Sequence, residues 1–128
     1  MIKAAGIAHA TLTVSDVERT RKFYEQLFQA QLVMDNGTSF SLLVVGIPCW
    51  FVQWETQYPG DRFDERRIGL DHIAFQIETI EELERMIARL TELGVANAGL
   101  ERFDDKYPYV AFRDQDNIQV EFFIPKEM

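Results

Sequence analysis

The chain lacks the features that link a protein to an oxidising compartment or to a membrane. Its 128 residues contain one cysteine, Cys49, so no disulfide can form within the chain. No apolar run approaches the length of a transmembrane helix, and the opening residues have no uninterrupted apolar core of the kind found in signal peptides. From these absences we expect a cytoplasmic protein.

Positive charge is also scarce. The chain has 13 lysines and arginines against 21 aspartates and glutamates, which gives a formal net charge of −8. Such a field repels phosphate backbones and anionic lipids, so neither nucleic acid nor a membrane surface is an expected partner. A small molecule, bound directly or through a metal, is compatible with it. The length and the hydrophobic content of 47% suit one globular domain with a moderate core.

A weak internal repeat is present along the chain. Residues 7–14 (IAHATLTV) and 70–77 (LDHIAFQI) both read as alternating strands with a histidine at the third position, and the two histidines lie 63 residues apart. Each strand is followed by an S/T-x-x-E capping box, Ser15–Glu18 and Thr79–Glu82, in which side chains satisfy free backbone donors at a helix start. The boxes lie 64 residues apart, which predicts a second strand that is one residue longer than the first.

Each capping box opens an amphipathic helix, the first reaching Phe28 and the second ending at Gly94. Three strand candidates follow each helix. In the first copy they cover 30–36, 39–46 and 48–55, and in the second 97–103, 107–114 and 118–125. Asp35-Asn36-Gly37 and Asp116-Asn117 are the turn signals.

The pattern predicts an α+β fold of two βαβββ modules, with module one at 1–56, a polar linker at 57–68 and module two at 69–128. We expect the two modules to form one domain.

Candidate metal ligands follow from the alternation of side chains along the strands. His9, His72 and Glu121 all fall on strand faces that point away from the helices. An ionised Glu121 between Val120 and Phe122 needs a partner, and a divalent cation is the simplest one. Two imidazoles and one carboxylate form a triad with open positions, which suits Fe, Mn, Zn, Ni or Co.

The repeat also nominates a fourth position. Aligning Val52-Gln53-Trp54 with Val120-Glu121-Phe122 makes Gln53 the counterpart of Glu121. Gln53 is then either a metal ligand through its amide oxygen or a hydrogen-bond partner of a water or ligand in the cavity.

Three segments resemble the glyoxalase/bleomycin-resistance/dioxygenase superfamily, also called the vicinal oxygen chelate superfamily. They are IAHATLTVSDVERTRKFYEQLF at the start, GLDHIAF at the second module, and FRDQDNIQVEFF near the end. The resemblance covers nearly the whole chain and implies metal ligands at His9, His72 and Glu121 and, by position, at Gln53. It also implies a cupped mixed sheet around a central cavity, with the helices on the outer face. The metal in that cavity would chelate two adjacent substrate oxygens and act as a Lewis acid.

Where the sequence departs from the family pattern, it disfavours some of the reactions known in the family. Glyoxalase I-like proteins usually carry a glutamate where Gln53 stands, and ring-cleaving dioxygenases use further histidines, whereas this chain has only two. Fosfomycin-type thiol transferases share the triad, but the sequence shows no convincing anion-binding loop.

Two function classes remain open. The first is a metal-dependent lyase, isomerase or dioxygenase acting on a small molecule with vicinal oxygens. Its catalytic candidates are Glu121 and Tyr109, whose hydroxyl can donate to a substrate oxygen. The alternative is a metal-free protein of the bleomycin-resistance kind, which would sequester an aromatic, cationic ligand through residues such as Trp50 and Trp54. In either case open sheet edges predict a homodimer.

Overall fold

The computed structural model describes residues 1–28, 32–42 and 46–128 and divides into two units, Met1–Asp61 and Arg62–Met128. The division falls inside the segment expected to be a linker. The first unit contains β1 (Ala10–Thr13), α1 (Val17–Phe28), β2 (Leu32–Asp35), β3 (Ser39–Leu42) and β4 (Cys49–Val52). The second contains β5 (Ile73–Gln76), α2 (Ile80–Glu92), β6 (Glu101–Phe103), β7 (Tyr107–Arg113) and β8 (Gln119–Phe123).

This order confirms the α+β class and the two βαβββ modules. The strands form two four-stranded mixed sheets, with the orders β1-β4-β3-β2 and β5-β8-β7-β6. In each sheet the first strand of the module runs parallel to the last, and the remaining pairs are antiparallel. The cupped arrangement around a cavity remains a prediction.

In the first unit, α1 packs on β3 and β4. Its apolar positions recur every three or four residues, and this spacing puts them on one side of the helix. The buried residues of α1 are Val17, Thr20, Phe23, Tyr24 and Leu27. Beneath them the ring of Phe51 lies 4.8 Å from those of both Tyr24 and Phe40, so an aromatic cluster fills this core.

The second unit repeats the plan with α2 on β7 and β8. Leu83 and Leu90 of the helix are fully buried. On β7 and β8 the helix-facing positions are buried as well: Val110, Phe112, Val120 and Phe122. Ile124, which directly follows β8, is also buried. The alternate positions of β7 and β8 are only half-buried or exposed, and we call the side on which they lie the open face of the second sheet.

The helix starts confirm one predicted cap and correct the other. The Thr79 hydroxyl accepts a hydrogen bond from the Glu82 backbone N–H at 3.1 Å, as predicted. In α1, however, Asp16 rather than Ser15 is the cap, since its carboxylate accepts from the Arg19 N–H at 3.1 Å. The prediction of a longer second strand is therefore wrong, because the helices begin at Val17 and Ile80 with the same offset as the two histidines.

The strands are shorter than the sequence predicts. β1 and β5 each begin one residue after the histidine that was placed inside them. Residues 30, 31 and 43–45 of the predicted strands lie outside the described residues.

Both predicted turns are confirmed. Gly37 has φ 87° between β2 and β3, and Asn117 has φ 68° between β7 and β8, a left-handed conformation that glycine and asparagine tolerate. Among the helices in the described part of the chain, none is long and apolar enough to cross a membrane.

Candidate metal centre

His72 and Glu121 meet in the second unit. β5 runs parallel to β8 with Ala74 opposite Glu121, and His72 lies two residues before Ala74. His72 directly precedes β5, and its imidazole lies beside Glu121 on the open face. His72 Nε2 is 3.6 Å from Glu121 Oε2, too long for a hydrogen bond.

The ring of His72 is held by its neighbour Asp71. Asp71 Oδ1 lies 2.7 Å from His72 Nδ1, which directs the opposite ring nitrogen towards Glu121. Sequence reasoning missed Asp71 because alternation puts adjacent strand residues on opposite faces. Since β5 begins only at Ile73, Asp71 is free of that constraint. An acidic residue directly before a candidate ligand histidine was the available signal.

Glu121 is surrounded by apolar packing and by negative charge. Only 14% of its side chain is exposed, and its neighbours Val120 and Phe122 are fully buried. Burial raises the pKa of Glu121, His72 counteracts this, and Asp71 and Glu101 raise it further. A nearby cation would offset the cost of keeping this carboxylate ionised.

The pair fits a divalent metal. A nitrogen and an oxygen that each ligate one zinc-like ion at about 2.1 Å lie roughly 3–3.5 Å apart, close to the observed 3.6 Å. Two donors do not complete a site, and within either unit the described residues include no group of three His, Cys, Asp or Glu side chains that could hold a metal.

The other two predicted ligands lie in the first unit. His9 is exposed and directly precedes β1, as His72 directly precedes β5. Gln53 directly follows β4, and its amide oxygen accepts a hydrogen bond from the backbone N–H of Val17 at 2.9 Å. The structure thus uses the Gln53 side chain to hold the first turn of α1.

The alignment that paired Gln53 with Glu121 is wrong. β1 pairs Thr11 with Trp50, and β5 pairs its repeat equivalent Ala74 with Glu121. Trp50, half-exposed, is therefore the counterpart of Glu121. Gln53 corresponds instead to Ile124, which is fully buried on the helix side. Gln53 was proposed as a ligand because of that alignment, so this argument for the role no longer holds.

Tyr109 lies on the open face near Glu121. It is half-buried and pairs across the sheet with Phe123, two residues along β8 from Glu121. Burial, followed by the charges of Glu101 and Glu121 and a hydrogen bond with Glu101, raises the pKa of the Tyr109 phenol. The hydroxyl therefore stays protonated at neutral pH, and its one proton is donated to the Glu101 carboxylate.

The model of the Glyoxalase/Bleomycin resistance protein/Dioxygenase superfamily matches residues 6–122. The fosfomycin resistance protein FosX of Listeria innocua is 34% identical over 98 residues, which are 71% of this chain and 67% of that protein.

Solved structures share the fold. A glyoxylase/bleomycin resistance protein/dioxygenase domain from Frankia sp. EAN1pec superposes with a TM-score of 0.80 at 27% identity, covering 95% of this chain and 98% of that one. FosX from Listeria monocytogenes in complex with Mn(II) and sulfate gives 0.71 at 28% identity, covering 95% and 91%. A mutant of the same protein holds Mn(II) and 1S,2S-dihydroxypropylphosphonic acid, with a TM-score of 0.69, 28% identity and coverage of 94% and 90%.

Proposed function

Because this chain belongs to the Glyoxalase/Bleomycin resistance protein/Dioxygenase superfamily, we propose that it is a metal-dependent enzyme acting on a small molecule with two adjacent oxygen atoms. The observation that carries the proposal is the convergence of His72 and Glu121, with Asp71 holding the imidazole. His9 is the third proposed ligand, from its equivalent place in the repeat. The related protein crystallised with Mn(II) and a vicinal diol supports both the metal and the substrate geometry.

The residues have separate proposed roles. His72 and Glu121 hold a divalent ion, which when bound supplies Lewis acidity to the substrate oxygens. Asp71 is a positioning residue, since a carboxylate on the second ring nitrogen fixes the orientation of a ligating histidine. Tyr109 keeps its proton, and its hydroxyl turns from the Glu101 carboxylate to a substrate oxygen when substrate binds.

Metal binding tests the proposal directly. Protein purified without added metal is titrated with Mn(II), Zn(II), Fe(II), Ni(II) and Co(II) by calorimetry, and its metal content is measured by elemental analysis. We expect about one ion per chain, with affinity reduced at least roughly tenfold by Glu121→Gln, which keeps the shape and removes the charge. Glu78→Gln is the matched control, because Glu78 is an exposed carboxylate that pairs with Lys126.

The outcomes separate the two function classes. Loss of metal affinity in Glu121→Gln but not in Glu78→Gln supports the enzyme. If the wild-type protein binds none of these ions, the result supports the alternative, a metal-free protein that sequesters its ligand.

Inactivation of fosfomycin is a second candidate, favoured by the 34% identity to a fosfomycin resistance protein. Phosphorus NMR of fosfomycin incubated with the Mn(II)-loaded protein tests it. Conversion that requires the metal and is lost in Glu121→Gln would support it, and unchanged fosfomycin would exclude it.

A further inference from the structure

The guanidinium of Arg113 joins two stretches of chain in the second unit. Its two terminal nitrogens lie 3.0 and 2.6 Å from the two carboxylate oxygens of Glu65, the forked geometry in which arginine binds a carboxylate most strongly. The same nitrogens donate to the Asn117 carbonyl and to the Gln119 amide oxygen, each at 3.1 Å. One side chain therefore connects Glu65, far back in the sequence, with the start of β8.

The first of these stretches carries Glu121. Arg113 pairs across the sheet with Gln119, and the next pair on the same face is Ala111 with Glu121. Gln119 and Glu121 are two residues apart on β8, so their side chains are neighbours on the open face. By binding Gln119 and the turn before it, Arg113 fixes the start of the strand that delivers the carboxylate.

The second stretch is folded onto the turn between β7 and β8. It consists of residues 62–67, which we call the docked segment. The Phe63 backbone N–H donates to the Asp116 carbonyl at 3.0 Å, and the Asn117 side-chain amide donates to the Phe63 carbonyl at 3.0 Å. Arg62 also donates to the Asn117 side chain, at 3.1 Å. The ion pair between Glu65 and Arg113 is thus the charged part of a larger contact.

The docked segment leads into His72. Residues 68–71 lie between the two, and Ile68, Gly69 and Leu70 among them are exposed. Packing of side chains therefore does not fix this connection. Its course is set by its two ends, the docked segment on one side and β5 on the other.

The charges near Arg113 favour the same arrangement. The hydrogen bonds with Glu65 raise the pKa of Arg113, burial lowers it, and the charges of Glu65, Asp64 and Asp71 raise it further. In turn, the contact with Arg113 holds the pKa of Glu65 at about 2, so the pair stays ionised at neutral pH. Asp71 is the residue that holds the imidazole of His72, and the cation attracts it as well.

We propose that Arg113 and Glu65 are positioning residues of the metal centre. Their ion pair holds the stretch that leads into His72 against the strand that carries Glu121. Because metal–ligand distances vary by only about 0.2 Å, the 3.6 Å between the two ligand atoms must be kept within narrow limits. The inference rests on the proposed metal-dependent function and adds residues that need touch neither metal nor substrate.

Metal affinity and stability, measured separately, test the proposal. Arg113→Gln removes the charge and the fork, and Glu65→Gln keeps the shape of the partner without its charge. Each variant is titrated with Mn(II) by calorimetry, and its metal-free form is unfolded with urea. We expect both to bind Mn(II) at least about tenfold more weakly than the wild type, the usual effect of removing a residue that orients metal ligands. The double variant should bind no more weakly than Arg113→Gln, because the two changes break one interaction.

Asp64→Asn is the matched control. Asp64 is the neighbour of Glu65 and pairs with Arg66 at 2.7 Å, so its ion pair lies within the docked segment and does not join the two stretches. This variant should bind Mn(II) as tightly as the wild type.

The visible spectrum of bound Co(II) provides a readout that a loss of stability alone does not move, because its absorption bands report the geometry of the ligands. The bands should shift in Arg113→Gln and Glu65→Gln and stay in place in Asp64→Asn. Should Arg113→Gln not fold, Glu65→Gln decides the outcome.

The titrations distinguish failure of this inference from failure of the proposed function. If Arg113→Gln and Glu65→Gln keep the Mn(II) affinity and the Co(II) spectrum of the wild type, the ion pair only stabilises the fold. The inference is then wrong and the metal-dependent function stands. If the wild type binds neither ion, the proposed function fails and this inference fails with it.

Discussion

At the scale of single residues, burial determines the chemistry of Cys49. The side chain is 2% exposed on the helix-facing side of β4, and burial raises the pKa of its thiol from 9.0 to about 12. A thiolate is the reactive form, so this cysteine has almost none at neutral pH.

We therefore predict that Cys49 in the folded protein does not react with a thiol-specific disulfide reagent between pH 7 and pH 9. Adding denaturant should release one reactive thiol per chain. Because the pKa is higher in the folded state than in the unfolded state, unfolding releases a proton above about pH 9, and stability should fall as the pH rises through that range. Cys49→Ala lacks this component and serves as the control. Rapid labelling of the native protein at pH 7 would contradict the prediction.

Glu121 and Gln53 show why some site residues could be predicted from the sequence and others could not. The face of Glu121 follows from a local pattern, since Val120, Phe122 and Ile124 mark the buried side of one strand. The place of Gln53 depends on the register between β1 and β4, which is set by hydrogen bonds between residues far apart in the chain. No local sequence pattern reveals that register. The repeat alignment was therefore off by three residues, and it assigned the position equivalent to Glu121 to Gln53 instead of Trp50.

At the scale of secondary structure, the N-terminus of α1 is held by two side chains of different origin. The Asp16 carboxylate accepts from the Arg19 N–H, and the Gln53 amide oxygen accepts from the Val17 N–H. Four backbone donors are unpaired at a helix start, and these contacts satisfy two of them. The contact from Gln53 also connects β4 to α1, two elements that pack against each other.

Gln53→Ala should consequently lower the free energy of unfolding by about 1 kcal/mol, the usual contribution of a partly buried hydrogen bond at a helix start. Metal affinity should not change. Gln53→Glu is the matched variant, because it keeps an acceptor and places negative charge at the positive end of the helix dipole. It should be at least as stable as the wild type. Urea unfolding and metal titration of the three proteins measure both quantities, and tighter metal binding by Gln53→Glu would restore Gln53 as a ligand.

At the scale of the whole molecule, both modules place an exposed apolar residue and a histidine directly before the first strand, and the sequence predicted only the histidines. An exposed apolar residue stands two positions before each histidine: Ile7, which is 73% exposed, and Leu70, which is 40% exposed. Each precedes a strand, β1 or β5, that lies at the edge of its sheet. The repeat of the histidines can be read from the sequence. The exposure of Ile7 and Leu70 cannot, because the sequence placed both residues inside strands, whereas β1 and β5 begin only after the histidines.

Exposed apolar residues beside a strand at the edge of its sheet favour association, because an interface buries the apolar area and can continue the sheet. We predict a homodimer, with a mass by light scattering of twice 14.9 kDa at micromolar concentration. Ile7→Asp and Leu70→Asp should each shift the protein towards the monomer, since a buried unpaired carboxylate opposes the interface. Ile47→Asp is the control, as Ile47 is 42% exposed and precedes β4, which is not an edge strand. A wild-type mass of one chain over this concentration range would show that the exposed residues are not part of a dimer interface.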